Sequence, residues 1–391
     1  MKTISKKILP MAMVASLMLA SCSTEDNFAV EEAVETDVAI KASTKLSTSF
    51  NPSSRLNFDY SGLMAKDFEA KLNLADAVAP SECGDTPFNE VANFYNNLLI
   101  DGFISAWDGT QLPIDVILGD YFAINQIAAI LGKNTDYFGA NGEYTNYVKK
   151  RVRSLEKFWS MPGLITVNGQ HTETLLDMDF MRFVYENFSD PALSEEEIVE
   201  ILAIAETFNA ASDQIPENPF YASDGFATFD RTIVVGDGII TLLEDTGIDP
   251  KVVWSSILAH EWGHQMQFLN FGTWQYPLPA FSNTPESTRM TELEADFITG
   301  YYLTHKRGAT YNWKRVEDFL TAFFNIGDCG FESPGHHGTP LERLAAARAG
   351  YDLANGAQKK GKILSQQAVH DAFLTALDGI LNSPLSVEVA R

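Results

Sequence analysis

Two histidines, His260 and His264, stand four residues apart in the run His260-Glu261-Trp262-Gly263-His264. On a helix, residues four apart project from one face about one turn from each other. Two imidazoles so placed can share one Zn²⁺ at tetrahedral angles. Glu261, beside the first histidine, is within reach of a water at that ion but is not naturally a ligand. The HExxH spacing therefore suits a metal-assisted hydrolysis with Glu261 as general base. Gly263 costs about 1 kcal/mol in a helix interior relative to Ala, so another element is expected to pass close to it.

A third ligand is needed, and Thr291-Glu292-Leu293-Glu294-Ala295-Asp296 supplies candidates. A helix over about 288–304 puts Glu292 and Asp296 on one face, while Glu294 lies about 200° round from Glu292. Glu292 is then the ligand, and Asp296 accepts the free N–H of a ligating histidine, fixing its tautomer. A different register makes Glu294 the ligand instead. The first helix has clear start signals: Asp249 caps it and Pro250 opens it. Ile257, His260, His264 and Phe268 fall on one stripe of it, which is expected to face inward. Other elements follow the same signals. Pro87 opens a helix, 147–159 is helical up to a break at Pro162-Gly163, and Ser194 with Glu197 forms a capping box before a helix through about residue 210. The segment 230–235 reads as a strand, with the β-branched run Thr232 to Val235 bounded by Gly236. The pattern as a whole is α+β and mainly helical.

HEWGHQMQ followed by ELEAD is similar to the glutamate-zincins, peptidases whose third ligand comes from an ExxAD-type helix. Later segments narrow the resemblance. Ile326-Gly327-Asp328, then His337-Gly338-Thr339-Pro340-Leu341-Glu342-Arg343, resemble the IGD and HG[ST]xxxR segments of the bacterial neutral zinc metallopeptidase family. The match runs from about residue 231 to 351. The chain departs from that family in its N-terminal half, in a short stretch before His337, and in Glu342, where glutamine is commoner. The resemblance implies a zincin-like metallopeptidase domain with a small sheet and an active-site helix. It implies one Zn²⁺ per chain and hydrolysis of peptide bonds, as an endopeptidase, on protein or peptide substrates. It also implies that His337 and Arg343 stabilise the oxyanion; His336 competes with His337, and Arg343 pairing an acid is the alternative. The 233–235 strand is a candidate sheet edge for aligning an extended peptide. His171, His305 and His370 lack companions at ligand spacing and read as surface or capping residues.

The 391 residues carry a net charge of −24, which excludes nucleic acid as a partner because phosphate binding needs basic patches. At the N-terminus, Lys2, Lys6 and Lys7 precede an apolar stretch over 8–20 that is too short to span a membrane as a folded helix. It ends in Leu19-Ala20-Ser21-Cys22, which resembles a bacterial lipobox with Cys22 as the lipidated residue. The Ser, Thr and acidic residues that follow resemble the tether of an outer-membrane lipoprotein, on its periplasmic or cell-surface face. Membrane association is then through the lipid alone. Cys83 and Cys329 are either bridged or two separate thiols. The expected organisation is a lipoprotein signal peptide over 1–21, a disordered tether over 22–57, a helical N-terminal region over 58–160 and the metallopeptidase domain over 161–391. A catalytically silent zincin-fold binding lipoprotein is the competing function, and hydrolysis of cell-wall peptides is a variant of the first.

Overall fold

In chain order, ten helices are described here: α1 Pro87–Ala106, α2 Ile114–Ile130, α3 Thr145–Trp159, α4 Met178–Phe188, α5 Glu195–Ala211, α6 Asp237–Glu244, α7 Pro250–Asn270, α8 Pro285–Thr304, α9 Pro340–Gln358 and α10 Gln366–Leu381. Three short strands accompany them: β1 Thr166–Gln170, β2 Gly225–Ala227 and β3 Thr232–Gly236. The computed structural model describes residues 54–58, 87–106, 114–212, 214, 216–278, 284–311, 314–316, 318, 320, 338–358 and 361–383. The segments read as a signal peptide and, for the most part, as a tether, together with Cys22, Cys83, Cys329, His336 and His337, lie outside these residues. The α+β, mainly helical class read from the sequence stands. Among the described residues, no helix is long and apolar enough to cross a membrane.

The start signals read from the sequence act as caps. Ser194 and Glu197 close a reciprocal capping box before α5. The Asp249 carboxylate accepts from Lys251 N at 2.8 Å, satisfying one of the orphan donors at the start of α7. α8 begins three residues earlier than expected, because Thr284 caps it and Pro285 takes its first turn. At α9, Thr339 N donates to Glu342 Oε2 and Glu342 N donates to Thr339 Oγ1, so the glutamate at 342 completes a capping box.

The sheet has the order β1-β3-β2, with β1 parallel and β2 antiparallel to β3. This corrects one expectation. β3 is the central strand, with Ile233, Val234 and Val235 fully buried, and the strand next to α7 with one side unpaired among the described strands is β2. Gln265, on α7, donates through Nε2 to Thr228 O at 2.9 Å and Thr232 O at 3.1 Å, tying the helix to the β2–β3 turn.

α7 is not amphipathic. Every residue from Val252 through Gln267 is buried, so its polar side chains must find partners inside the protein. Ser255 and Ser256 turn their hydroxyls back onto Lys251 O and Val252 O. α8 lies across α7, and α9 lies across α8. The second crossing rests on two glycines. A Cβ at Gly300 would stand 2.2 Å from Ala347 O, and one at Gly350 would stand 2.0 Å from Phe297 O. Gly350→Ala is therefore expected to lower stability by roughly 1–3 kcal/mol of overpacking, more than the about 1 kcal/mol that alanine gains in helix propensity. Chemical denaturation of the variant checks this.

The expected boundary at residue 160 runs through continuous packing. Asn168 on β1 donates to Ala129 O on α2 at 2.8 Å, Asn125 on α2 donates to Tyr221 O, and Tyr147 on α3 meets Ser255 on α7 at 2.6 Å. Residues 54–57, assigned by composition to the tether, are tied to the body. The buried Asp120 carboxylate accepts from Ser54 Oγ, Arg55 N and the Arg55 guanidinium, and Tyr185 OH adds a further donor.

Candidate metal centre

Helices α7 and α8 bring the predicted ligands together. His260 Nε2 and His264 Nε2 are 3.0 Å apart. Glu292 reaches between them, with Oε2 3.1 Å from His260 Nε2 and Oε1 3.2 Å from His264 Nε2. The three ligand atoms lie within 4.8 Å of one another and all three residues are buried. Glu292 rather than Glu294 joins the histidines, because α8 has the register that puts Glu292 and Asp296 on the face turned to α7. The helices approach closely at Gly263: a Cβ there would stand 3.0 Å from Ala295 Cα. This is the close passage that a glycine in a helix interior implied.

Asp296 takes the supporting position expected of it. His260 Nδ1 lies 2.9 Å from Asp296 Oδ1. The Arg343 guanidinium grips the same carboxylate at both oxygens, Nε to Oδ2 at 2.7 Å and Nη2 to Oδ1 at 2.8 Å. Its Nη2 is also 3.8 Å from Glu292 Oε2. Arg343 was expected to serve an oxyanion; its guanidinium instead pairs an acid, the alternative weighed for it. The other residue given that role, His337, lies outside the described residues.

Burial alone would depress the His260 imidazole, but its bonds to Asp296 and Glu292 outweigh burial and raise it to about 9. Burial likewise opposes ionisation of Glu292, yet the two histidines set against it hold its carboxyl well below the usual range. Glu261 is also buried, and burial pushes its carboxyl up. Its Oε1 faces β2: a Cβ at Gly225 would be 3.8 Å from it.

Two tests favour a metal. Ligands about 2.0–2.1 Å from zinc at tetrahedral angles stand roughly 3.3 Å apart, close to the separations here. Among the described residues, Glu261 Oε2 is a buried oxygen without a hydrogen-bond partner and Glu292 Oε1 has only His264 Nε2 near it, at 3.2 Å, which is costly unless something else satisfies them. This donor set of two imidazoles and a carboxylate can hold a metal ion.

Models of known protein families, curated proteins and solved structures give no match to the chain. The reading of this site therefore rests on its own geometry.

Sequence reasoning missed a second set of polar residues. Gln267 Oε1 lies 2.9 Å from His264 Nδ1, and its Nε2 donates to Glu294 Oε2 at 3.1 Å. Glu294 also meets Tyr276 OH at 2.5 Å and His370 Nδ1 at 2.6 Å. The signal for Gln267 was in the sequence, since it lies three residues after His264 and so shares its helix face. Nothing local marked His370, 76 residues from Glu294. The lone histidines are buried, not on the surface, while the capping alternative holds for two of them: His171 caps the short 3₁₀ turn Thr172–Leu176 and His305 caps α8. His171 is buried against Asp237 at 2.5 Å and stacked on Tyr137 at 3.8 Å. His305 ends α8, buried, with Nε2 3.2 Å from Lys362 O. His370 is buried under Trp274, whose ring stacks on it at 4.4 Å.

The His370 pair gives a pH dependence. Burial lowers the imidazole, but the hydrogen bond and charge of Glu294 raise it further, so the net shift is upward. Asp371 on its own helix adds to the rise, while the neighbours Trp274 and Tyr276 carry no charge at neutral pH. A histidine raised in the folded state contributes stability that is complete below its unfolded value and lost as pH rises through its folded one. The melting-temperature advantage of the wild type over His370→Gln is accordingly expected to be largest near pH 6, about the unperturbed histidine value, and to shrink towards alkaline pH.

Proposed function

We propose that this protein is a zinc-dependent peptidase with a zincin-like catalytic body, held at the outer membrane by a lipid on Cys22 and acting on exported or surface-accessible proteins or peptides. One observation carries the reading. The buried donor atoms of His260, His264 and Glu292 converge on one point, beside the buried carboxylate of Glu261, which has an oxygen without a hydrogen-bond partner among the described residues. A structural histidine pair would need neither the third carboxylate nor a nearby unsatisfied one.

A zinc ion held by these three residues would supply Lewis acidity towards a scissile carbonyl and its attacking water. Glu261 takes the proton from that water as it adds to the carbonyl carbon, then delivers it to the leaving amine nitrogen. Burial suits this dual role, because a carboxyl raised from its usual value both accepts and returns a proton readily. Asp296 holds His260 with Nε2 towards the centre, and Arg343 holds Asp296. The side of β2 left unpaired among the described strands offers backbone groups to an extended peptide, and Gly225 keeps the space before Glu261 open.

The test is metal analysis of the purified protein together with cleavage of casein or a peptide library. Stoichiometric zinc, loss of cleavage on chelation and recovery on adding zinc are the expected results. Zinc bound at full occupancy with no cleavage of any library would favour a silent binding protein instead.

A further inference from the structure

The orientation of the Gln267 side chain is decided by its neighbours. One end of its amide faces Thr291 O at 2.8 Å and Glu294 Oε2 at 3.1 Å. A carbonyl and a carboxylate only accept, so that end is the NH₂ group. The other end, Oε1, faces His264 Nδ1 at 2.9 Å. An amide oxygen also only accepts, so His264 Nδ1 carries the proton. Its Nε2 then presents a lone pair to the point where His260 Nε2 and Glu292 converge.

Glu294 is held in turn. Tyr276 OH donates to Oε2 at 2.5 Å and His370 Nδ1 donates to Oε1 at 2.6 Å. The His370 ring is fixed by its stack on Trp274, at 4.4 Å and 13°. Gln267 and Glu294 are fully buried and His370 is 1% exposed. Such a network is costly unless every member is satisfied, and it spans α7, α8, the segment after α7 and the C-terminal helix α10.

We propose that Gln267, Glu294, Tyr276 and His370 are positioning residues that lock His264 in its Nδ1–H tautomer and thereby set zinc affinity. Asp296 and Arg343 do the same for His260, so each ligand histidine has its own carboxylate behind it: directly for His260, through an amide for His264. The effect on affinity rests on the zinc reading above; the tautomer does not.

Two measurements separate them. Long-range proton–nitrogen correlation spectra of the metal-free protein, with its histidine rings labelled with ¹⁵N, report which His264 nitrogen is protonated. Competition with a chromophoric chelator reports zinc affinity. In the wild type His264 is expected as Nδ1–H. Gln267→Leu is expected to shift it to Nε2–H and to weaken zinc by about 10–100-fold, the usual effect of losing a residue that supports a metal ligand. Glu294→Gln is expected to weaken zinc in the same direction by less. The double variant Gln267→Glu/Glu294→Gln returns an acceptor to His264, and the carboxyl at position 267, kept protonated by its burial, still donates to Thr291 O, so the Nδ1–H form is expected to be recovered. A purely structural role predicts no such recovery. If Gln267→Leu fails to fold, Glu294→Gln and the double variant still carry the test. An unchanged tautomer with unchanged zinc affinity in the variants would overturn the proposal. A wild type that has the Nδ1–H form yet binds no zinc would sink the peptidase reading while leaving the tautomer assignment standing.

Discussion

Glu261→Gln is expected to reduce peptide-bond hydrolysis by about 10²–10⁴-fold, the usual contribution of a positioned general base, while bound zinc stays at wild-type stoichiometry. The amide has the shape of the carboxylate but cannot take a proton from water. Glu261 is not one of the three converging ligands, so the metal has no reason to leave. Stability is expected to hold or rise. Glu261 is buried, its ionisation is opposed by that burial and one of its oxygens has no hydrogen-bond partner among the described residues, so removing the charge relieves a cost, as is common where function requires an unfavourable group. Metal content, cleavage rate and melting temperature measured on one preparation decide the matter. Loss of zinc together with activity would make Glu261 a ligand and end its assignment as base.

The sequence made the helix-borne half of this centre legible, because helical period converts spacing into geometry. His260 with His264, and Glu292 with Asp296, are both four apart, and α7 and α8 present each pair on one face. Gly263 betrayed the close crossing of the two helices for a similarly local reason. What it could not supply was partnership between distant segments. Arg343 meets Asp296 across 47 residues, and His370 meets Glu294 across 76. The polar residues of α7 also misled the inference of a single inward stripe. Their amides and hydroxyls look like a solvated face in the sequence, yet Ser255, Ser256, Gln265 and Gln267 are all buried and bonded to backbone or to one another's neighbours. Edge and centre of the sheet were exchanged because β2 is only three residues long and carries no β-branched run, so the stronger strand drew the assignment.

Arg343→Met is expected to destabilise the protein by about 3–5 kcal/mol, the cost of stripping one partner from a buried ion pair. Asp296 is fully buried, Glu292 nearly so, and the guanidinium lies against both. Without it, two carboxylates remain in the interior with the His260 imidazole between them. An oxyanion donor would behave differently, losing roughly 10²–10³ in kcat at unchanged stability. Denaturant unfolding of the metal-free variant therefore distinguishes the roles before any substrate is known. Arg343→Lys is expected to recover only part of the loss, since an ammonium cannot match the two-pronged contact with both Asp296 oxygens. The decisive comparison is the double variant Asp296→Asn/Arg343→Met. Removing both charges leaves no orphaned ion, and the amide oxygen introduced at position 296 still accepts from His260 Nδ1–H. It is expected to be more stable than Arg343→Met alone, giving a coupling energy that two independent sites would not show. Strictly additive losses would mean that the guanidinium does not neutralise Asp296, and that its place beside the metal ligands serves the reaction instead.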